Sequence, residues 1–376
     1  MDRKLWASEL LGKITDKMDT VIGRNLDKVP YIAYDGRWDD KSSPKDIGWW
    51  TNGFWGGILW ACYKMTGHEI FRSEAVNLEG KQDQIFLDWV RMSHDAGFRF
   101  LPTAVEHYRQ EGSEMSLQRG LAAANNLAGR FNIVGRYIQA WNHEHFGPMN
   151  RLSIIDTMMN LPLLYWASEV QDNPRFRQIA EAHAESTMKN FVRPDGSVCH
   201  IVEYDENTGE VLGTLRGQGY AVGSSWTRGQ GWAIYGFTLS YGYTGRRDFL
   251  ETAMKVANYF ISNLNDDCIV PCDFREDPDG PFKEDDTAAA CVASGLLELS
   301  RYVDGPDRAR YQKWAYKLLD ALVEHSLNLD KDVDYLISTG TAAYHKDTEN
   351  ECPIIYGDYF FMEALMKIAE LDFKVW

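Results

Sequence analysis

Positive charge is what this chain has least of. Its 376 residues carry 39 Lys and Arg against 55 Asp and Glu, a net charge of −16. That balance excludes a nucleic-acid footprint, which needs a basic stripe. An acidic surface serves solubility, and any anionic ligand must then be drawn by a local positive feature. Long apolar runs are also missing, and none approaches the ~20 residues needed to cross a bilayer. The first stretch, MDRKLWASELLGKITDKMD, lacks the apolar core and small-residue cleavage site of a signal peptide and has the pattern of an amphipathic helix. Cysteine is sparse: six residues, at 62, 199, 268, 272, 291 and 352, lie scattered along the chain. Such thiols imply a reduced, cytoplasmic setting. Cys268 and Cys272 stand four apart with no second pair, so no zinc site is expected. There is no H-E-x-x-H, no P-loop and no G-x-S-x-G. Gly217-Gln218-Gly219 follows no clear parallel strand, which excludes a dinucleotide loop.

Apolar and aromatic residues are plentiful, at 44% and 13%. Helical periodicity dominates, and one pattern recurs: an apolar helix, a short Gly/Asp/Asn turn, then an amphipathic helix. Copies begin at Gly57, Leu161, Trp232 and Ala293, and each turn is followed by an aromatic: Phe71, Phe176, Phe249, Tyr311. Self-similarity at a spacing of roughly 60 residues indicates stacked helical hairpins. The length accommodates about six of them. The first helix of each pair is the more apolar, as expected for an inner ring wrapped by an outer one. The expected fold is therefore all-α: a single (α/α)6 barrel over residues 1–376, with no domain boundary. One stretch breaks the pattern. Ser197–Gly213 alternates and has turn chemistry at Glu206–Gly209, which predicts a short β-hairpin in a connecting loop.

The repeat places the chemistry. Trp49–Thr51, His94-Asp95, Ser153–Asp156, Ser225–Arg228, Asp285–Thr287 and Gly357-Asp358 all precede inner helices. Asp95 and Asp156 lie one repeat apart, so they should share one end of the barrel. Six helix N-termini converging there would favour an anion such as a uronate carboxylate. Asp156 sits in the apolar run RLSIIDTMMNLPLLYW, predicted to be a buried helix, where burial disfavours its charged form. Ser153 and Asp156 also stand as S-x-x-D, the pattern of a helix cap. Asp95 could equally be a turn residue. Two carboxylates at one mouth suit acid/base work on a sugar, and the tryptophans near the helix starts suit stacking on one. Arg228, flanked by Gly223, Gly229 and Gly231, could fork onto a carboxylate or form a structural salt bridge. His200 and Gln218 could reach over the mouth.

Together these residues resemble the unsaturated glucuronyl hydrolases, glycoside hydrolase family 88. The matching pieces run from end to end in order: WTNGFWGGILW (50–60), HDAGF (94–98), IQAW (138–141), IIDTMMNLPLLYWA (154–167), SSWTRGQGWAIYGF (224–237) and IYGDYFFMEAL (355–365). The resemblance implies an (α/α)6 barrel that removes a 4,5-unsaturated uronic acid from the non-reducing end of lyase-made oligosaccharides, glycosaminoglycan-type, with no metal or cofactor. Carried onto this chain, Asp156 resembles the general acid/base and Asp95 its partner. Trp50, His94, Trp141, His200, Gln218, Arg228 and Trp232 resemble the pocket. Asn52 stands where family members often have aspartate. The stretch STGTAAYHK (338–346) lacks the Ser-x-x-Ser-x-Lys spacing of sulfate-gripping relatives, so sulfate recognition is not implied. Alternatives are a hydrolase for pectin- or ulvan-type unsaturated uronates, against which WTRGQGW argues, a sugar epimerase, or a non-catalytic glycan-binding protein. An epimerase of this barrel needs a catalytic histidine pair, for which only His94 and His200 qualify.

Overall fold

The computed structural model of the protein describes residues 2–142 and 151–376. The inner helices are α2 (Phe54–Thr66), α4 (Ala96–Phe100), α7 (Leu161–Gln171), α9 (Thr227–Thr244), α11 (Asp286–Ser300) and α13 (Ile355–Ile368). They pack in that order, residues 101–105 carrying the contact of the second inner helix with α2, and α13 returns against α2, closing a ring. The outer helices α3 (Glu69–Lys81), α6 (Glu114–Gly129), α8 (Arg175–Asn190), α10 (Arg247–Ser262) and α12 (Gly305–His325) each back the inner helix before them. The sixth outer place goes to α1 (Arg3–Val21), which packs on α13. The (α/α)6 barrel expected from the repeat is the fold observed.

The difference between the rings follows from composition. Every residue of α11 is buried, as for a helix with no polar face. On α12 the buried set is Tyr311, Ala315, Leu318, Leu319 and Leu322, one stripe at helical spacing. The marked aromatics Phe71, Phe176, Phe249 and Tyr311 are all buried, and Phe249 of α10 packs on Phe237 of α9 at 6.2 Å. The turns between paired helices close through left-handed residues at Gly67, Asp172 and Gly245. Pro102 interrupts the second inner helix. It lacks an N–H and crowds the preceding turn, and the chain widens into a π-turn, Leu101–Val105, before resuming as α5 (Glu106–Glu111). Trp376 fills the barrel axis, stacked on Phe360 at 5.9 Å and set edge-on to Phe98.

The strands correct two expectations. Arg151–Trp166 is not one helix. It comprises β5 (Leu152–Ile154), a 3-10 turn (Ile155–Met159) and then α7. The β-branched residues favour extended backbone there, and Pro162 suits only the first turn of a helix. The predicted hairpin exists as β6 (Ile201–Tyr204) and β7 (Val211–Leu215), but β5 pairs with β6 to make a three-stranded sheet. Ser153 is therefore a strand residue opposite Val202, not a cap. Two further hairpins join β1 (Ala33–Tyr34) to β2 (Arg37–Trp38) and β3 (Phe131–Asn132) to β4 (Tyr137–Ile138).

His183 of α8 ties the outer ring to β4. Its Nδ1 accepts from the Ile138 amide at 2.9 Å, and burial pushes its pKa down to about 3. The neutral ring is thus the folded form, while the unfolded ring titrates near its ordinary 6.5. The unfolded chain binds more protons between these values, so stability is full above about pH 6.5 and falls with acidification. Below that pH the wild type should lose roughly 1 kcal/mol per pH unit more than His183→Gln. Urea unfolding at stepped pH checks this, and identical slopes would mean the ring takes its proton without cost to the fold.

Candidate active site

Three extended segments assemble the site at the N-terminal end of the inner ring. The His94 amide donates to the Ala140 carbonyl at 3.0 Å, and the Ala140 amide to Leu152 at 2.9 Å. Pairing of β5 with β6 continues this ladder, and the Ile155 amide donates to the His200 carbonyl at 3.0 Å. The register therefore sets His94 and His200 on either side of Asp156.

Asp156 is 6% exposed and Asp95 7%. Asp95 accepts from the Ser93 hydroxyl on Oδ2 at 2.9 Å, and its Oδ1 lies 3.3 Å from His94 Nε2. The other nitrogen of His94 meets the Thr157 hydroxyl at 2.9 Å. Burial holds His94 below its ordinary pKa, against the raising influence of Asp95 and Asp156. It is therefore a neutral bridge between the two carboxylate segments. Oδ2 of Asp156 is sealed from solvent and faces His200 Nε2 at 3.4 Å, without the alignment of a formed hydrogen bond.

Asn160 clamps the same two segments. Its Nδ2 donates to the Asp156 carbonyl at 3.1 Å, and its Oδ1 accepts from the Phe98 amide at 2.8 Å. Asp95 and Asp156 thus stand before successive inner helices, at one end, as the repeat required.

Of the tryptophans, Trp50 and Trp141 are half-buried. Trp50 packs on Tyr356 and Phe98 at 5.0 and 5.4 Å, and Trp141 stands perpendicular to His94 at 6.0 Å. Trp232 is fully buried between Phe98 and Phe360. Its ring supports the floor, and its indole Nε1 has no partner among the described residues. Gln218 is half-buried, and its Nε2 donates to the Ala342 carbonyl at 2.6 Å.

Arg228 is also placed differently from an open fork. It is completely buried. Nη1 donates to Asp285 at 2.7 Å, Thr287 at 3.2 Å and the Thr341 carbonyl at 2.8 Å, and Nη2 donates to Ala342 at 2.6 Å. Trp226 and Tyr356 cover the guanidinium at 4.7 and 5.1 Å. The salt-bridge alternative describes these contacts. No N-cap side chain of the six inner helices accepts from a backbone amide of its own first turn. Asn52 donates to the Asp46 and Ile47 carbonyls at 3.1 and 2.9 Å, a pair of donations that aspartate could not make. Among the described residues no three His, Cys, Asp or Glu side chains converge to hold a metal.

The family model for Glycosyl Hydrolase Family 88 matches residues 14–370. The chain belongs to glycosyl hydrolase family 88. It is a glycoside hydrolase of the unsaturated glucuronyl hydrolase type. It is 34% identical over 356 residues to an unsaturated glucuronyl hydrolase of Bacillus sp. strain GL1, covering 93% of this chain and 94% of that one. An unsaturated chondroitin disaccharide hydrolase of Streptococcus agalactiae serotype III is 31% identical over 328 residues, covering 85% and 81%. A solved UGL structure with dGlcA-Glc-Rha-Glc superposes with a TM-score of 0.89 at 32% identity, covering 95% of both chains.

Sequence reasoning missed several supports of this family 88 site. Thr157 and Ser93 orient the histidine and the partner carboxylate, and both lie beside residues already singled out. Asn160 stands four residues after Asp156, a spacing that could have flagged it. Gly97 permits the clamp: a Cβ there would stand 2.5 Å from Asn160 Cα and 2.7 Å from its Oδ1. Gly97→Ala should cost about 1–3 kcal/mol by overpacking and should lower kcat by shifting the two aspartates relative to each other. Urea unfolding and steady-state kinetics check both. Full activity in a destabilised variant would show that the clamp does not set the catalytic spacing.

Proposed function

We propose that this chain removes the 4,5-unsaturated uronic acid from the non-reducing end of lyase-generated, glycosaminoglycan-type oligosaccharides. Asp156 is the general acid/base and Asp95 its ionised partner. The observation that carries this reading is the pair of buried carboxylates at one end of the barrel, with Asp95 joined through His94 to Thr157, the residue next to Asp156. The relatives' names and the dGlcA sugar in the matching structure support the substrate class.

The C4=C5 bond of such a sugar is a vinyl ether. Asp156 protonates C4, and positive charge develops at C5 and the ring oxygen. Asp95, as carboxylate, stabilises that charge. Water adds at C5 and returns its proton to Asp156. Breaking the C5–O5 bond of the hemiketal gives a C5 ketone and leaves the ring oxygen as a hydroxyl on C1, and that hemiacetal collapses to an aldehyde as the leaving sugar departs with a proton. No redox step or group carrier enters this sequence. The positive dipole ends of the inner helices draw the uronate carboxylate, offsetting the net acidic surface. Trp50 and Trp141 offer faces to the sugar.

Residues 1–376 act as one catalytic domain in this reading. No described helix is long and apolar enough to cross a membrane, and the six thiols are free. The cysteine usage supports a cytoplasmic setting. A panel of lyase-made unsaturated disaccharides, followed by the ultraviolet absorbance of the enuronate, tests the function. The absorbance should fall with at least one glycosaminoglycan-derived member. Loss only with pectin- or ulvan-derived members would move the substrate class, and no loss with any would reject the reading.

A further inference from the structure

The loop after β7 presses on the site histidine. Gly217 has φ +63°, and a Cβ there would stand 1.9 Å from Nδ1 of His200. No other residue fits that conformation and that contact together. The amide of the next residue, Gln218, donates to the same Nδ1 at 2.8 Å. A backbone amide only donates, so Nδ1 is the acceptor, and the single proton of a neutral imidazole sits on Nε2. Trp226 packs against the ring at 4.3 Å, which fixes its plane.

The loop is itself anchored. Buried Asp273 accepts from the Tyr220 amide at 3.0 Å, the Ser225 amide at 2.8 Å and the Ser224 hydroxyl at 2.6 Å. On the other side the Tyr344 amide donates to the Gln218 carbonyl at 2.8 Å. These contacts leave the ring one outward direction: Nε2 faces Oδ2 of Asp156. Both atoms are closed to solvent, and neither has a hydrogen bond among the described residues. Oδ1 of Asp156 makes no hydrogen bond either, but it is not sealed.

We propose that Gly217 is a positioning residue: it lets the Gln218 amide lock the His200 tautomer whose Nε2–H faces Oδ2 of Asp156, so that the acid carries its proton on Oδ1. The proposal rests on the reading of Asp156 as the acid. A neutral carboxyl has one oxygen that only accepts and one that carries the proton. An N–H opposite Oδ2 makes that oxygen the acceptor. The proton is then on the oxygen open to the mouth, where C4 of the substrate must lie. The 3.4 Å gap is of the kind that tightens when substrate enters.

Two measurements test this. Nitrogen NMR of the enzyme labelled in histidine reports the tautomer, with the His200 signal assigned by its loss in His200→Gln. The wild type should show Nε2 protonated and Nδ1 bare at neutral pH. A ring protonated on Nδ1 would overturn the proposal, and this reading needs no variant of the loop to fold. In kinetics, Gly217→Ala should lower kcat by roughly 10²-fold, the scale of a displaced catalytic contact, with little change in KM. Gly213→Ala, in the same hairpin and with open space around it, should keep full activity. A fully active Gly217→Ala beside an inactive Asp156→Asn would sink the positioning role alone. A fully active Asp156→Asn would instead remove the assignment of the acid.

Discussion

Asp156→Asn is expected to lower kcat by about 10²–10⁴-fold, the usual contribution of a positioned general acid. The amide keeps the size and shape of the carboxyl, so β5, the 3-10 turn and the Asn160 clamp, which uses the Asp156 backbone carbonyl, should persist. What is lost is the transferable proton. His200 Nε2 would still find an oxygen if the amide carbonyl turns toward it. Substrate affinity should therefore survive, and the variant should trap a complex. Circular dichroism and urea unfolding would match the wild type. A variant with most of the wild-type rate would show that the C4 proton comes from elsewhere, and Asp95 would be the next candidate.

Arg228→Ala should destabilise the fold by about 3–5 kcal/mol, because it leaves a buried charge without its partner. Asp285 is fully buried, and its Oδ2 is held by Arg228. The Thr341 carbonyl would also lose its donor, and the Ala342 carbonyl one of its two. Those carbonyls tie the segment around Gly340 to the start of α9, and Gln218 holds the same Ala342 carbonyl, so the damage should spread to the loop that carries Gly217. Arg228→Lys should recover little, since a point charge cannot reach four acceptors as a planar fork does. Activity on an unsaturated uronate and on its methyl ester should fall together. If stability were unchanged and only the free uronate suffered, Arg228 would be a substrate fork after all.

The barrel was legible because its signal is local and repeated. The apolar-then-amphipathic helix pairs, their turns and the aromatics Phe71, Phe176, Phe249 and Tyr311 follow from short-range periodicity. The shared end of Asp95 and Asp156 follows from the same spacing. The closing pair was less visible, since α1 and α13 come from opposite ends of the chain. Strand β5 was hidden for a similar reason: its three residues become a strand only by pairing with residues 201–203, about fifty positions later. An apolar run of that length cannot be told from buried helix by periodicity. Arg228 illustrates a different limit. Its glycine-rich surroundings suit a ligand fork and a buried salt bridge equally, and only the position of Asp285, 57 residues away, decides between them. Trp232 lies in the second turn of α9, and which side of α9 faces the axis depends on the whole ring.

The reaction run in heavy water is the most direct test of protonation at C4 by a fixed acid. Proton NMR of the product, sampled before the ketone enolises, reports both the deuteron and its configuration. Delivery from Asp156 to one face of the bound ring predicts a single deuteron at C4 in a single configuration. Release of an intact unsaturated sugar, followed by rearrangement in solution, would give both configurations and contradict the account.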